Sequence, residues 1–150
     1  TILVIDDREE LTMDLKVHGV HLGKNDMPAV DAREYLGAGA IIGVTANTAQ
    51  DIIAYKKVDV DYVGLGPFRY TTTKSNLSPI IGLDGYRDII TEVRNAGVEL
   101  PIVAIGGITL EDVAELMSTG VNGVAMSGAI LSAENPTEYT KRVIEALNKR

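Results

Sequence analysis

Two stretches, Ile105-Gly106-Gly107-Ile108-Thr109 and Met126-Ser127-Gly128-Ala129-Ile130, decide how the chain is read. Each closes a short apolar run and opens a segment with helical spacing. Glycine at that junction lets backbone N–H groups come close to an anion, and the following helix N-terminus adds favourable partial charge. One such loop is explained by a tight turn alone. Two on successive strands match the phosphate site that (β/α)8 barrels build after strands 7 and 8. With Gly107 placed after strand 7, counting backwards makes Ile2–Ile5 strand 3.

Working outward, apolar runs of strand length recur roughly every twenty residues. They are Ile2–Ile5, Gly19–Leu22, Ile41–Val44, Tyr62–Leu65, Ile102–Ile105 and Gly123–Met126. Their near-continuous Ile/Val content predicts parallel strands buried on both faces. Between them, Thr48–Val58 opens on the capping pair Thr48/Asp51, and Thr109–Ser118 repeats it with Thr109/Asp112. Leu83–Ala96 and Thr137–Leu147 are further amphipathic helices. Strand and helix alternate without a Pro/Gly-rich linker, which predicts one α/β domain over residues 1–150.

Alternation alone fits a barrel or an open doubly wound sheet. Polar residues and glycines cluster after every run: Asp6-Asp7, Gly23-Lys24-Asn25-Asp26, Thr45, Gly66-Pro67, Gly106-Gly107 and Ser127-Gly128. A barrel brings all those ends to one rim, whereas an open sheet spreads them along an edge. The reading is therefore a TIM (β/α)8-barrel, with this chain supplying strands 3–8 as a partial barrel.

Composition bounds the chemistry. The 150 residues are 45% hydrophobic and 23% charged, ordinary for a globular chain. A net charge of −7 argues against a nucleic-acid partner, which needs a basic surface. There is no cysteine, so disulfides, thiol nucleophiles and Cys-ligated zinc are excluded. That composition, without an apolar run of membrane-spanning length or a leader pattern, fits a cytoplasmic protein with no membrane partner.

Asp7 and Asp26 close the first two runs and are expected to be neighbours on the rim. Two adjacent carboxylates invite Mg²⁺ between them, or each caps the helix that follows. The long polar stretch from Gly66 to Gly82 carries Thr71, Thr72, Thr73 and Lys74, donors suited to an anionic substrate. Thr45 and Asn47 are candidates to contact a heterocycle, and helix capping by Asn47 or Thr48 explains part of that segment unaided. His18 and His21 are read as structural, since no third metal ligand has suitable spacing. Arg94, Glu99, Glu138, Lys141, Arg142 and Lys149 read as solvated helix faces.

The blocks Gly19-Val20-His21-Leu22-Gly23-Lys24-Asn25-Asp26, Ile42-Gly43-Val44-Thr45, Gly66-Pro67…Thr71-Thr72-Thr73-Lys74, Ala104-Ile105-Gly106-Gly107-Ile108 and Ser127-Gly128-Ala129-Ile130 resemble the thiamine phosphate synthase family in order and spacing. The resemblance implies a transferase of thiamine biosynthesis that joins hydroxymethylpyrimidine diphosphate to thiazole phosphate, releasing pyrophosphate. It implies Mg²⁺ as cofactor, held by Asp7 and Asp26. It implies Lys74 and Thr45 as catalytic residues, Lys74 on the pyrophosphate and Thr45 on the pyrimidine. Thr71, Thr73, Gly107, Ser127 and Gly128 would hold the thiazole phosphate. Where the family has Asn-Asp this chain has Asp6-Asp7, so Asp6 stands at a pyrimidine contact as a carboxylate.

The family's first two βα units, with their Gln-x-Arg-x-Lys strand, have no counterpart in these 150 residues. The expectation is a barrel whose open strand edges are completed by an N-terminal segment or by self-association. Two alternatives stand beside the synthase: a thiazole tautomerase-like paralogue sharing the barrel, and a non-catalytic phosphate-binding, self-assembling fragment. Retention of Asp7, Asp26 and Lys74 together favours the synthase over the tautomerase.

Overall fold

The computed structural model describes residues 1–70 and 78–149. Six parallel strands stand in chain order: β1 Val4–Asp6, β2 Gly19–Leu22, β3 Ile41–Ala46, β4 Tyr62–Leu65, β5 Ile102–Ile105 and β6 Gly123–Ala125. The helices are α1 Glu9–Asp14, α2 Ala29–Leu36, α3 Ala49–Ala54, α4 Gly82–Asn95, α5 Val113–Ser118, α6 Gly128–Leu131 and α7 Pro136–Asn148. A doubly wound sheet must reverse its strand order at a switch point, and this sheet never does. The order is that of a barrel wall. All six predicted runs became strands, β1 shifted to Val4–Asp6, β6 ending one residue early and β3 extended to Ala46, so Asp6 and Thr45 lie within strands rather than after them.

The two faces of the sheet differ. Val20, Leu22, Ile42, Val44, Ala46, Val63, Leu65, Ile102 and Ala104 point toward the helices and are buried. There they meet Ile52, Tyr86, Ile90, Val93 and Leu116, which forms the hydrophobic core. On the opposite, concave face His21, Thr45, Tyr62, Val103 and Ile105 are only half-buried. The expectation of strands buried on both faces therefore holds for one face, because the other carries the polar residues of the site. Ile2 and Leu3, leading into β1, are exposed.

Helix starts follow local chemistry. Thr48 and Asp51 form the predicted capping box of α3, and Thr109 and Asp112 form the same box on the single 3₁₀ turn, Leu110–Asp112, that leads into α5. Asn135 caps α7, with Pro136 at its first position.

Arginines close the opposite edge in a repeated way. Arg33 donates to the carbonyls of Gly37 and Ala40 and to Asp61 Oδ2, which also accepts Ile42 N. Arg94 donates to the carbonyls of Val98 and Leu100 and to Asn122 Oδ1, which also accepts Ile102 N. Arg94 is therefore not a solvated helix residue but a clamp on the start of β5. Glu99, Glu138, Lys141, Arg142 and Lys149 are exposed, as expected.

Candidate active site at the C-terminal edge of the sheet

Asp6 ends β1 and is in register with His21, then Gly43, then Tyr62, so the four share one row across the concave face. His21 bridges along that face: Nδ1 lies 3.0 Å from the Tyr62 hydroxyl and Nε2 lies 3.0 Å from Thr45 Oγ1. The ring stacks at a tilt on Tyr62, with centroids 5.5 Å apart. Glycine at position 43 is required, because a Cβ there would fall inside the Tyr62 ring. Burial pushes the Tyr62 hydroxyl above its usual ionisation range, and the negative charge of Asp6 adds to the effect. His18 is structural, its Nδ1 accepting Leu3 N at 3.0 Å.

Asp7 follows at φ 64°, a left-handed conformation that aspartate tolerates better than most residues. Its amide donates to the carbonyl of His21. Asp26 does not cap α2, whose cap residue is Pro28 with no side-chain hydrogen bond. Instead Asp26 Oδ2 folds back to accept Gly23 N at 2.5 Å. A Cβ built on Gly23 would lie 2.8 Å from Asp26 Oδ2 and 3.6 Å from Asp7 Oδ1. The two carboxylates therefore converge on one point, and glycine at 23 leaves that point open. The N-cap of α1 is Arg8, whose side chain makes no capping hydrogen bond. No cluster of three or more His, Asp or Glu side chains with metal-ligand geometry occurs among the described residues. The carboxylate pair suits a hard cation that takes its remaining oxygens from water and phosphate.

Gly106 and Gly107 turn out of β5 at φ 93° and 68°. The segment after β4 packs on them: Phe68 N donates to Ile105 O and Arg69 N to Gly106 O. Arg69 Nη1 reaches the Gly107 carbonyl at 2.9 Å, and the guanidinium grips both oxygens of Asp112 at 2.7 Å. Burial alone would raise the Asp112 carboxyl, but Arg69 and the Thr109 amide and hydroxyl hold it below the usual range. After β6, Ser127 and Gly128 begin the four-residue α6, and the space beside Gly128 is open. Asn47 is not the cap of α3; its side-chain amide donates to Gly66 O at 2.6 Å, tying the end of β3 to the end of β4.

The expected site residues Asp6, Asp7, Asp26, Thr45, Gly107, Ser127 and Gly128 thus all sit in or just beyond the C-terminal half of the sheet. Thr71, Thr73 and Lys74 lie outside the described residues. Sequence reading missed Tyr62 and Arg69. Tyr62 carried a signal in the facing Gly43, but only the strand register reveals it.

A sequentially ordered parallel sheet with a carboxylate pair and glycine turns along one edge defines a barrel-type α/β enzyme. A family described as thiamine monophosphate synthase matches residues 1–130. A thiamine-phosphate synthase of Bacteroides fragilis is 54% identical over 143 residues, covering 95% of this chain and 70% of that protein. One from Flavobacterium johnsoniae is 46% identical over 147 residues, covering 98% and 68%. The structure of a thiamine phosphate pyrophosphorylase from Pyrococcus furiosus superimposes with a TM-score of 0.84 at 30% identity, over 99% of this chain and 68% of that one. The chain belongs to the thiamine monophosphate synthase family.

Proposed function

We propose that the protein joins hydroxymethylpyrimidine diphosphate to thiazole phosphate, forming thiamine phosphate and pyrophosphate. The observation that carries this reading is the convergence of Asp7 and Asp26 beside Gly23, on the same edge as the glycine turns after β5 and β6. In the reaction the bond between the pyrimidine methylene carbon and the diphosphate oxygen breaks, with its electron pair leaving on pyrophosphate. The thiazole ring nitrogen then supplies the pair for the new carbon–nitrogen bond. No protein nucleophile is consumed, so the protein must align two substrates and neutralise a leaving group.

Asp7 and Asp26 are the residues that would hold Mg²⁺. When bound, the ion supplies positive charge against the pyrophosphate oxygens. Asp6 and Thr45, on the concave face, contact the pyrimidine. The backbone around Gly107, Ser127 and Gly128 takes the thiazole phosphate, and Thr71, Thr73 and Lys74 complete the anion contacts. In this reading the six strands correspond to strands 3–8 of an eight-stranded barrel. A tautomerase has no need of a diphosphate–metal clamp, so the carboxylate pair favours the synthase.

The test is a coupling assay with both substrates and Mg²⁺, following thiamine phosphate and pyrophosphate together. Equimolar appearance of the two products, abolished by chelation, is expected. Binding of the thiazole phosphate without any coupling would refute the reading.

A further inference from the structure

Three successive carbonyls of the turn after β5 face the segment that follows β4. Ile105 O accepts Phe68 N at 2.8 Å, Gly106 O accepts Arg69 N at 3.1 Å, and Gly107 O accepts Arg69 Nη1 at 2.9 Å. In a trans peptide the C=O and the following N–H point in opposite directions. Engaging the carbonyls of Gly106 and Gly107 therefore turns the N–H groups of Gly107 and Ile108 to the far side of the turn. Neither N–H finds an acceptor among the described residues. The positive φ values at Gly106 and Gly107, open to glycine without strain, let both carbonyls turn toward the segment after β4.

Arg69 supplies two of those three bonds and is itself fixed on three sides. Its guanidinium is bidentate on Asp112, the residue that caps the turn leading to α5, and lies 4.8 Å from the centre of the Phe68 ring. Its Cγ sits where a side chain on Gly107 would go. A lysine could carry the charge but could not span the Gly107 carbonyl and both Asp112 oxygens at once.

We infer that Arg69 is a positioning residue for phosphate: by joining the Gly107 carbonyl to the Asp112 carboxylate, it aims the Gly107 and Ile108 amides at the anion of the thiazole substrate. Arg69 acts through that backbone and does not itself touch the phosphate. The inference rests on the proposed coupling reaction for the identity of the ligand, but not for the geometry.

The test compares the wild type with R69M, which keeps the apolar stem, and R69K, which keeps the charge. R69M is expected to raise KM for thiazole phosphate about tenfold, the scale of a lost charge-assisted hydrogen bond, with KM for the diphosphate substrate within about twofold. R69K should fall between. Should R69M fail to fold, R69K carries the same comparison. Titration with inorganic phosphate gives a readout independent of turnover, and there the same order of weakening is expected. If the wild type binds phosphate but does not couple, the functional reading fails while this inference stands on the titration. It is overturned if phosphate affinity is unchanged in the variants, if the wild type binds no phosphate, or if both KM values rise alike.

Discussion

Lys24 Nζ lies 2.6 Å from Asp51 Oδ2, binding the loop after β2 to the capping box of α3. The pair has a counterpart one repeat later, where Arg69 after β4 grips Asp112 before α5. Together with the Arg33/Asp61 and Arg94/Asn122 clamps at the other edge, this makes β2–α3 and β4–α5 two copies of one structural unit. In each copy a cation from an even strand's loop meets the cap carboxylate after the next strand.

The first prediction concerns Asp51. It accepts from Lys24 and from the amides of Asn47 and Thr48. Replacing it with alanine removes a cap and an ion pair, and about 1–2 kcal/mol of stability should go with them. Lys24→Met should cost about 0–1 kcal/mol, because the ion pair is partly exposed. Burial raises the Asp51 carboxyl, but Lys24 and the amides outweigh it and hold it below 3.8. A depressed carboxyl contributes stability that is present above pH 3.8 and lost as pH falls through the folded-state value. Asp51→Asn should therefore show a shallower loss of stability below that pH in urea denaturation. Parallel acid limbs for variant and wild type would contradict the argument.

The second concerns Tyr86, which is fully buried and donates its hydroxyl to Leu65 O while its ring meets Phe68 edge-on at 5.9 Å. Burial pushes its ionisation well up, so it stays a neutral donor over the working range. Tyr86→Phe keeps the packing and removes one buried hydrogen bond, for an expected loss of about 1–2 kcal/mol. Tyr86→Ala should cost about 3–5 kcal/mol through the cavity. Equal losses for the two variants would show that the hydroxyl, not the ring, dominates.

What the sequence made legible follows from distance along the chain. The capping boxes at Thr48/Asp51 and Thr109/Asp112 were readable because both partners lie within one helical turn. The strands were readable because an apolar run is a local signal, and α4 and α7 because they are long and strongly amphipathic. The short helices α1, α2 and α6 lacked such a pattern. Asp61, Asn122, Tyr62 and Arg69 could not be assigned, since their partners stand 19 to 43 residues away and only the register brings them together. Arg94 differs, since the Val98 and Leu100 carbonyls it clamps are near in sequence: a charged residue near a helix end reads as solvated until the path of the chain after the helix is in view.

The third prediction uses the concave row. Gly43→Ala would place a methyl in the ring of Tyr62, forcing that side chain away from His21. Overpacking of this kind costs about 1–3 kcal/mol. Adding Tyr62→Ala to Gly43→Ala should restore part of the loss, giving a coupling free energy of about 1 kcal/mol in a double-mutant cycle. Strict additivity of the two substitutions would mean that the rings do not press on position 43.

The last prediction concerns Asp7, whose carboxylate is aimed from a left-handed backbone at φ 64°. Such strain costs about 1–3 kcal/mol and tends to persist where it serves a site. Asparagine tolerates the same conformation, so Asp7→Asn should leave stability within about 1 kcal/mol of the wild type. It removes one of the two charges that converge beside Gly23, as Asp26→Asn removes the other. Each should weaken binding of Mg²⁺-pyrophosphate by about tenfold or more, a pairing loss of the size expected between close opposite charges, and leave inorganic phosphate affinity near that of the wild type. Gly23→Ala tests the same geometry without altering charge, since its methyl would come within 2.8 Å of Asp26 Oδ2 and push that oxygen off the shared point. Calorimetric titration of the three variants with Mg²⁺ and pyrophosphate separates the outcomes. If Gly23→Ala and Asp26→Asn both bind Mg²⁺-pyrophosphate as the wild type does, Asp26 holds the turn through Gly23 and has no part in a metal site.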